Sequence, residues 1–205
     1  MIDLYTWSTP NGRKISILLE ALGLEYRVHP VNILNDEQFT PAFLAISPNN
    51  KIPAIIDSDG PDGAPISLFE TGAILLYLAE KTGRFLPNDA TKKYQVYEWL
   101  MWQMGGFGPF LGQAHHFNRF APEPVPYALQ RYNNEAQRLW RVLDTRLTNR
   151  NYVVDELSIA DFAIYPWAAR YEWQNIALND FPNVAAWMKR MESLEAVQKG
   201  MLIPA

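Results

Sequence analysis

Three stretches of this 205-residue chain carry side chains whose types and spacing suit the capture and activation of a small polar ligand. The first, Ser8-Thr9-Pro10-Asn11, places hydroxyl and amide donors directly ahead of a helical pattern. A helix N-terminus presents free N–H groups and the positive end of the macrodipole, so donors there favour an anion. Thr9, through its hydroxyl or backbone N–H, and Asn11, through its side-chain amide, would hydrogen-bond the charged form of an acidic group and lower its pKa. Thr9 followed by Pro10 also reads as a plain helix start, since threonine caps well and proline suits the first helical position. The chain has no cysteine, so a thiolate held in that field would have to arrive with the ligand.

The second stretch, Asn49 to Asp57, runs from a polar turn through Ile52-Pro53 into a β-branched apolar run. Proline tolerates a strand only at its start, its edge or a bulge. An X-Pro bond is also where a cis peptide costs only roughly 0.5–1 kcal/mol. A cis bond at Ile52-Pro53 would turn the Ile52 N–H and C=O outward, where a peptide-like ligand could pair with them; an ordinary loop proline is the plain alternative. In the third stretch, Ile66-Ser67-Leu68-Phe69 leads into Glu70-Thr71-Gly72, which reads as strand, tight turn and helix. The N–H groups of that helical turn suit a carboxylate, Thr71 adds a hydroxyl, and Glu70 adds a charge that could hold an amine. Together these features would clamp both ends of a zwitterionic peptide.

The elements that must hold these residues follow from periodicity. Ile2-Asp3-Leu4-Tyr5 alternates as a strand, and Ile15, Leu18, Leu19 and Leu22 mark an amphipathic helix stopped by Gly23. Tyr26 to Val31 predicts a second strand and Pro41 to Ala45 a short helix. Ile52 to Asp57 and Pro65 to Phe69 predict two more strands around the turn-rich Ser58 to Gly63. A helix from Gly72 to Glu80 ends at Thr82-Gly83. The order β-α-β-α-β-β-α is that of a thioredoxin-like domain, assigned to residues 1–83. In that fold the loop after the first strand faces the strand-start proline, and redox members place a Cys-x-x-Cys where this chain has Ser8-Thr9-Pro10-Asn11.

Residues 84–91, with Pro87-Asn88-Asp89, read as a linker, and residues 92–205 as an all-helical C-terminal domain. One helix begins at Tyr94 and is interrupted at Gly105-Gly106 and Gly108-Pro109. A second spans about Tyr127 to Thr148, Ser158 with Asp161 reads as a capping box, and Phe181-Pro182-Asn183 starts a further helix. The fold class is therefore α/β followed by all-α.

The combination of Thr9-Pro10-Asn11-Gly12, Asn49-Asn50-Lys51-Ile52-Pro53 and Glu70-Thr71-Gly72 resembles the nu class of bacterial glutathione transferases. Gly105-Gly106-Phe107-Gly108-Pro109, Gln113 to Asn118 and Pro126 to Tyr132 extend the resemblance over nearly the whole chain. It implies a glutathione-dependent enzyme of the disulfide-bond reductase type, with reduced or oxidised glutathione as co-substrate. The thiolate would attack a small disulfide, or the carbon of an electrophile to give a conjugate. The resemblance places Gln38 and Lys51 at the glycyl carboxylate, Ile52 and Pro53 at the cysteinyl unit, and Glu70 and Thr71 at the γ-glutamyl end. It adds Gln103 and Arg131 from the helical domain, with Arg138 as the alternative to Arg131. The usual acid–hydroxyl pair there is Glu-Ser, so Thr71 departs by a methyl and keeps the hydroxyl. Thr9 and Asn11 would stabilise the thiolate, with Ser8 and then Tyr5 as rival activating groups. A homodimer is implied as well. A glutathione-binding regulatory protein with little turnover would carry the same residues.

Composition sets outer limits. Hydrophobic residues make up 48% and charged residues 20%, enough apolar content for a substantial core. The formal charge of −4 and the lack of a basic run argue against nucleic acid. No apolar stretch approaches the roughly 18 residues that span a bilayer, and no signal-peptide pattern opens the chain, so a cytoplasmic protein is expected. The adjacent His115 and His116 would point about 100° apart on a helix, which disfavours a metal site. Trp99, Trp102, Phe107 and Trp140 are expected in the core.

Overall fold

The structure is a computed structural model that describes residues 1–204. Its elements divide into two compact units, Met1–Arg84 with the C-terminal segment from Leu194, and Phe85–Ser193.

The first unit is built on a four-stranded sheet in the order β2-β1-β3-β4. β1 (Ile2–Thr6) runs parallel to β2 (Tyr26–Pro30), and β3 (Ala54–Asp57) pairs antiparallel with both β1 and β4 (Ile66–Phe69). α1 (Pro10–Leu22) crosses from β1 to β2, α2 (Pro41–Leu44) precedes β3, and α3 (Thr71–Thr82) follows β4. Gly23 and Gly83 close α1 and α3 in the left-handed conformation, at φ 67° and 65°, where a Cβ would be strained. This is the thioredoxin-like arrangement expected from the order of elements.

The last helix, α9 (Glu195–Gly200), packs on α1 in this first unit, whereas the sequence places it with the helical half. Gly200 makes the contact close: a Cβ there would lie 2.5 Å from Ile17 Cα, and the Gly200 carbonyl accepts the Ser16 hydroxyl at 2.7 Å. As a result every residue from Lys14 to Leu19 is buried, on all sides of the helix.

The second unit is helical: α4 (Ala90–Trp102), α5 (Gly108–His115), α6 (Pro126–Arg146), α7 (Ile159–Ala168) and α8 (Pro182–Glu192). α4 starts at Ala90, inside the stretch the sequence suggested as linker, because Asp89 caps it by accepting the Lys92 N–H at 2.9 Å. Gly105-Gly106 does not break the helical path. Residues Gln103–Phe107 form a π-helical turn that joins α4 to α5, with Pro109 at the start of α5 directly after that wider turn. At α7 the capping box is complete. Asp161 Oδ2 accepts the N–H and hydroxyl of Ser158, while Oδ1 accepts the Val153 N–H and Trp187 Nε1. Trp140 and Phe107 are fully buried, whereas Trp99 and Trp102 are half-buried. Among the described residues no helix is long and apolar enough to cross a membrane.

Candidate functional site

The N-terminus of α1 is shaped by a cap and a close approach. Thr9 is extended (φ −119°, ψ 161°), and its Oγ1 accepts the Gly12 N–H at 3.2 Å. A hydroxyl that accepts inside the helix still has its own hydrogen to donate elsewhere. Gly12 lets the preceding loop fold onto the helix, since a Cβ there would collide with the Trp7 carbonyl and Thr6 Oγ1. Ser8 Oγ accepts from Arg13 Nη2 at 3.3 Å. Tyr5 lies within β1 and stacks on His29, with ring centroids 4.6 Å apart. It lines a separate 480 Å³ cavity with Val31, Phe43 and Ile46, not the one described below.

Ahead of β3, Ser47 organises the turn by donating to the Lys51 carbonyl at 2.8 Å, and Asn50 completes it in the left-handed region at φ 51°. The Ile52–Pro53 peptide is cis, and the Ile52 side chain packs against the cluster of Val31, Phe43 and Ala54. Burying that side chain commits the segment's orientation, while the Lys51 side chain is exposed.

At the start of α3, Glu70 adopts φ 70°, ψ 114° and makes no side-chain cap to the helix. Positive φ is strained for a residue with a Cβ, a feature that concentrates at functional sites. Thr71 opens the helix and is 7% exposed. Behind it lies Lys14, 2% exposed, whose Nζ donates to Thr71 Oγ1 at 3.3 Å. Burial pushes the Lys14 ammonium down to about 7, against the pull of Glu70, which raises it.

These pieces meet at one cavity of 160 Å³, lined by Asn11, Lys51, Ile52, Glu70 and Thr71, with Pro53 and Phe69 as its apolar wall. It therefore combines an amide, a flexible cation, a carboxylate, a hydroxyl at a helix N-terminus and the backbone that precedes a strand. That set suits an extended zwitterion with charged ends.

Thr9, two residues before Asn11, and Gln38 do not line this cavity. Gln38 sits in the turn Glu37–Phe39, half-buried, with its Oε1 buried and lacking a hydrogen-bond partner among the described residues. Gln103 and Arg131 belong to the second unit. Gln103 is fully buried in the π-helical turn. Arg131 is exposed on α6, in a 570 Å³ groove with Phe110, Tyr127 and Asn134, beside Glu135, which binds Arg138 through two hydrogen bonds of 2.7 and 2.8 Å. His115 is buried, stacks on Trp167 and lies 3.2 Å from Gln174 Nε2, while His116 is exposed. Burial, with Arg170 and Arg119 nearby, pushes the His115 imidazole down to about 4, which keeps it neutral. Among the described residues no group of three or more His, Cys, Asp or Glu side chains could hold a metal ion.

Lys14 was not singled out from the sequence. Its signal was its spacing: it falls three residues after Asn11 and four before Leu18, on the stripe that faces α3, where a lysine is out of place on a buried face.

Comparison with known proteins agrees with this architecture over both units. Residues 1–80 match the family model "Glutathione S-transferase, N-terminal domain" and residues 115–195 match "Glutathione S-transferase, C-terminal domain". The chain is 50% identical to the disulfide-bond oxidoreductase YfcG of Escherichia coli, over 98% of this chain and 95% of that protein. It is 38% identical to the E. coli disulfide-bond oxidoreductase YghU, over 98% of this chain and 74% of that one. Among solved structures, a glutathione transferase from Pseudomonas putida with one glutathione disulfide bound per subunit superposes with a TM-score of 0.96 at 45% identity, covering 100% of this chain and 92% of that one. A Pseudomonas fluorescens family member with two glutathiones bound gives 0.95 at 44%, covering 99% and 93%. With both of its halves matched and YfcG aligned along 95% of its length at 50% identity, the chain belongs to the glutathione S-transferase family.

Proposed function

We propose that this protein binds glutathione in the 160 Å³ cavity of its first unit and uses the bound thiolate to reduce small disulfides. One observation carries the reading: Asn11, Lys51, Ile52, Glu70 and Thr71, from three separate stretches of sequence, converge on one cavity with the polarity of a γ-glutamyl peptide. Relatives with the same fold and 44–45% identity were crystallised with glutathione or its disulfide, which supports it.

In this reading the γ-glutamyl carboxylate takes the first-turn N–H groups of α3 and the Thr71 hydroxyl, and Glu70 holds the amine. The Ile52 backbone pairs with the cysteinyl unit, Pro53 supports it, and Lys51 with Gln38 meets the glycyl carboxylate. The sulfur then lies at the N-terminus of α1, where the Thr9 hydroxyl and the Asn11 amide donate to it and favour the thiolate. That thiolate attacks one sulfur of a disulfide. A glutathionyl mixed disulfide forms and one substrate thiolate leaves, to be protonated by water. A second glutathione thiolate attacks the mixed disulfide, which yields glutathione disulfide and the second substrate thiol. Both reducing electrons come from the two glutathiones, as they must in a chain without cysteine. The Arg131 guanidinium in its groove on the helical unit is the proposed anion contact for one of the two. Conjugation to an electrophilic carbon would use the same thiolate. The assignment extends to residues 1–83 as the glutathione domain, a cytoplasmic location and a homodimer.

The test is glutathione-dependent turnover of a small disulfide, measured beside calorimetric binding of reduced glutathione. Turnover that drops about 3–15-fold in Asn11→Ala, with binding retained, is expected from loss of one donor to a charged sulfur, the lost thiolate being partly offset by its greater nucleophilicity. Tight binding without turnover in the wild type would remove the reductase assignment.

A further inference from the structure

A second cavity of the first unit, 480 Å³ in volume, takes no part in the proposed chemistry. It arises because α2 is a single turn of four residues and covers only part of the sheet face on which Phe43 packs. Asp3 and Tyr5, two residues apart on β1, point to that face. The strand register sets His29 opposite Tyr5 and Ile56 opposite Asp3, and all four are half-buried. Tyr5, His29 and Ile56 line the cavity from the sheet, while Val31, Phe43 and Ile46 give it an apolar wall. Its size is that of a small-molecule site. No residue lines both this cavity and the one of 160 Å³. One apolar cluster lies between them, with Tyr5, Phe43 and Ile46 lining the first and Ile52 and Phe69 the second.

Charge decides what such a cavity would take. Glu37 is the one carboxylate among the lining residues, and no lysine or arginine joins it. Its Oε2 accepts the Asn32 N–H at 2.6 Å. Thr40 closes the same turn, donating to the Glu37 carbonyl at 2.9 Å and accepting the Phe43 N–H at 3.4 Å. The carboxylate is therefore tethered before any ligand arrives. The stacked rings of Tyr5 and His29, 4.6 Å apart and 13° from parallel, share the lining with the Phe43 ring. The nearest charges beyond the lining answer each other: Asp3 lies 3.9 Å from Arg27 and 2.6 Å from His29 Nε2. Electron-rich ring faces beside a single carboxylate favour a cation, and the apolar wall favours a hydrocarbon body. We infer that this cavity binds a small organic ammonium ion, with its charged head at Glu37 and the rings and its apolar body against Val31, Ile46 and Ile56. The site is separate from the 160 Å³ cavity and does not depend on the glutathione reading.

The test titrates the full chain calorimetrically with 2-phenylethylammonium and with 2-phenylethanol, its uncharged counterpart. The ammonium ion is expected to bind with a Kd of about 1 mM or lower, and the alcohol about 10-fold more weakly, the scale of one charge-assisted contact. Glu37→Gln keeps an acceptor for the Asn32 N–H. It should weaken the ammonium ion about 10-fold and leave the alcohol unchanged. Ala42→Trp, at an exposed position of α2 that lines the cavity, should abolish binding of both compounds by filling the space. Saturating glutathione should leave the ammonium affinity as it was. Equal affinity for the two compounds, or no heat from either, overturns the inference. So does an ammonium titration that neither variant moves, or one that glutathione displaces. Wild type that binds the ammonium ion and no glutathione removes the reading of the 160 Å³ cavity and leaves this site standing.

Discussion

Replacing Thr9 separates the two jobs its hydroxyl is placed to do. Its oxygen caps α1 through the Gly12 N–H at 3.2 Å, and its hydrogen is the proposed donor to the glutathione sulfur. Thr9→Ala removes both. Loss of a cap costs about 1 kcal/mol, which in a chain of this size lowers the thermal midpoint by about 2–4 °C. Loss of a hydrogen bond to a charged sulfur costs about 1.5–3 kcal/mol, and at 1.36 kcal/mol per pKa unit the bound thiol should titrate about 1–2 units higher. Below that pKa the thiolate fraction falls tenfold per unit. A more basic thiolate is also a better nucleophile, with a Brønsted slope of about 0.4–0.5, so the disulfide reduction rate should fall only about 3–15-fold. Thr9→Ser keeps both the cap and the donor and should match wild type in each measurement. The assay is the ultraviolet absorbance of the bound thiolate against pH, with a melting curve for each variant. A lower melting point in Thr9→Ala with an unmoved thiol titration would refute the reasoning and leave Thr9 as a helix cap alone.

Two further outcomes concern stability. Asp161→Ala leaves the Val153 and Ser158 N–H groups and Trp187 Nε1 without the carboxylate that accepts them, and should destabilise the protein by about 3 kcal/mol or more. Denaturant unfolding followed by tryptophan fluorescence measures this, and a loss below about 1 kcal/mol would contradict the role given to the capping box. For Lys14 the sign follows from proton counting: the folded group releases its proton near pH 7, whereas the unfolded one holds it to an ordinary value of 10.5. The unfolded state therefore binds more protons across that window, so ligand-free wild type should gain stability relative to Lys14→Met as pH rises from 7 towards 10, by at most about 5 kcal/mol. Parallel stability curves for the two proteins would show that Lys14 keeps its charge on folding.

Local signals carried most of the first unit and the outline of its site. Thr9-Pro10 starts α1, Gly23 and Gly83 end α1 and α3, and Glu70-Thr71 turns β4 into α3, because caps, left-handed glycines and first-turn prolines act over a few residues. The same holds for Ser158 with Asp161 at α7. Gly105-Gly106 misled for the opposite reason: glycine lowers helix propensity, yet Phe107 and Gln103 are fully buried, and packing carries the chain through a π-helical turn where local preference predicts a break.

Lys14 and α9 were settled only by tertiary structure. In sequence, α1 is an amphipathic helix with one apolar stripe, and the spacing that puts Lys14 in line with Leu18 does not say whether so long a side chain stays buried or reaches water. In the fold Lys14 meets Thr71 of α3, while another face of α1 is covered by a helix that returns from the far end of the chain, where Ser16 meets Gly200 across 184 residues. Hydrophobic periodicity records which face of a helix is covered by its nearest layer. It does not register a second cover supplied by so distant a segment, which closes over Ser16 and Ile17 as well.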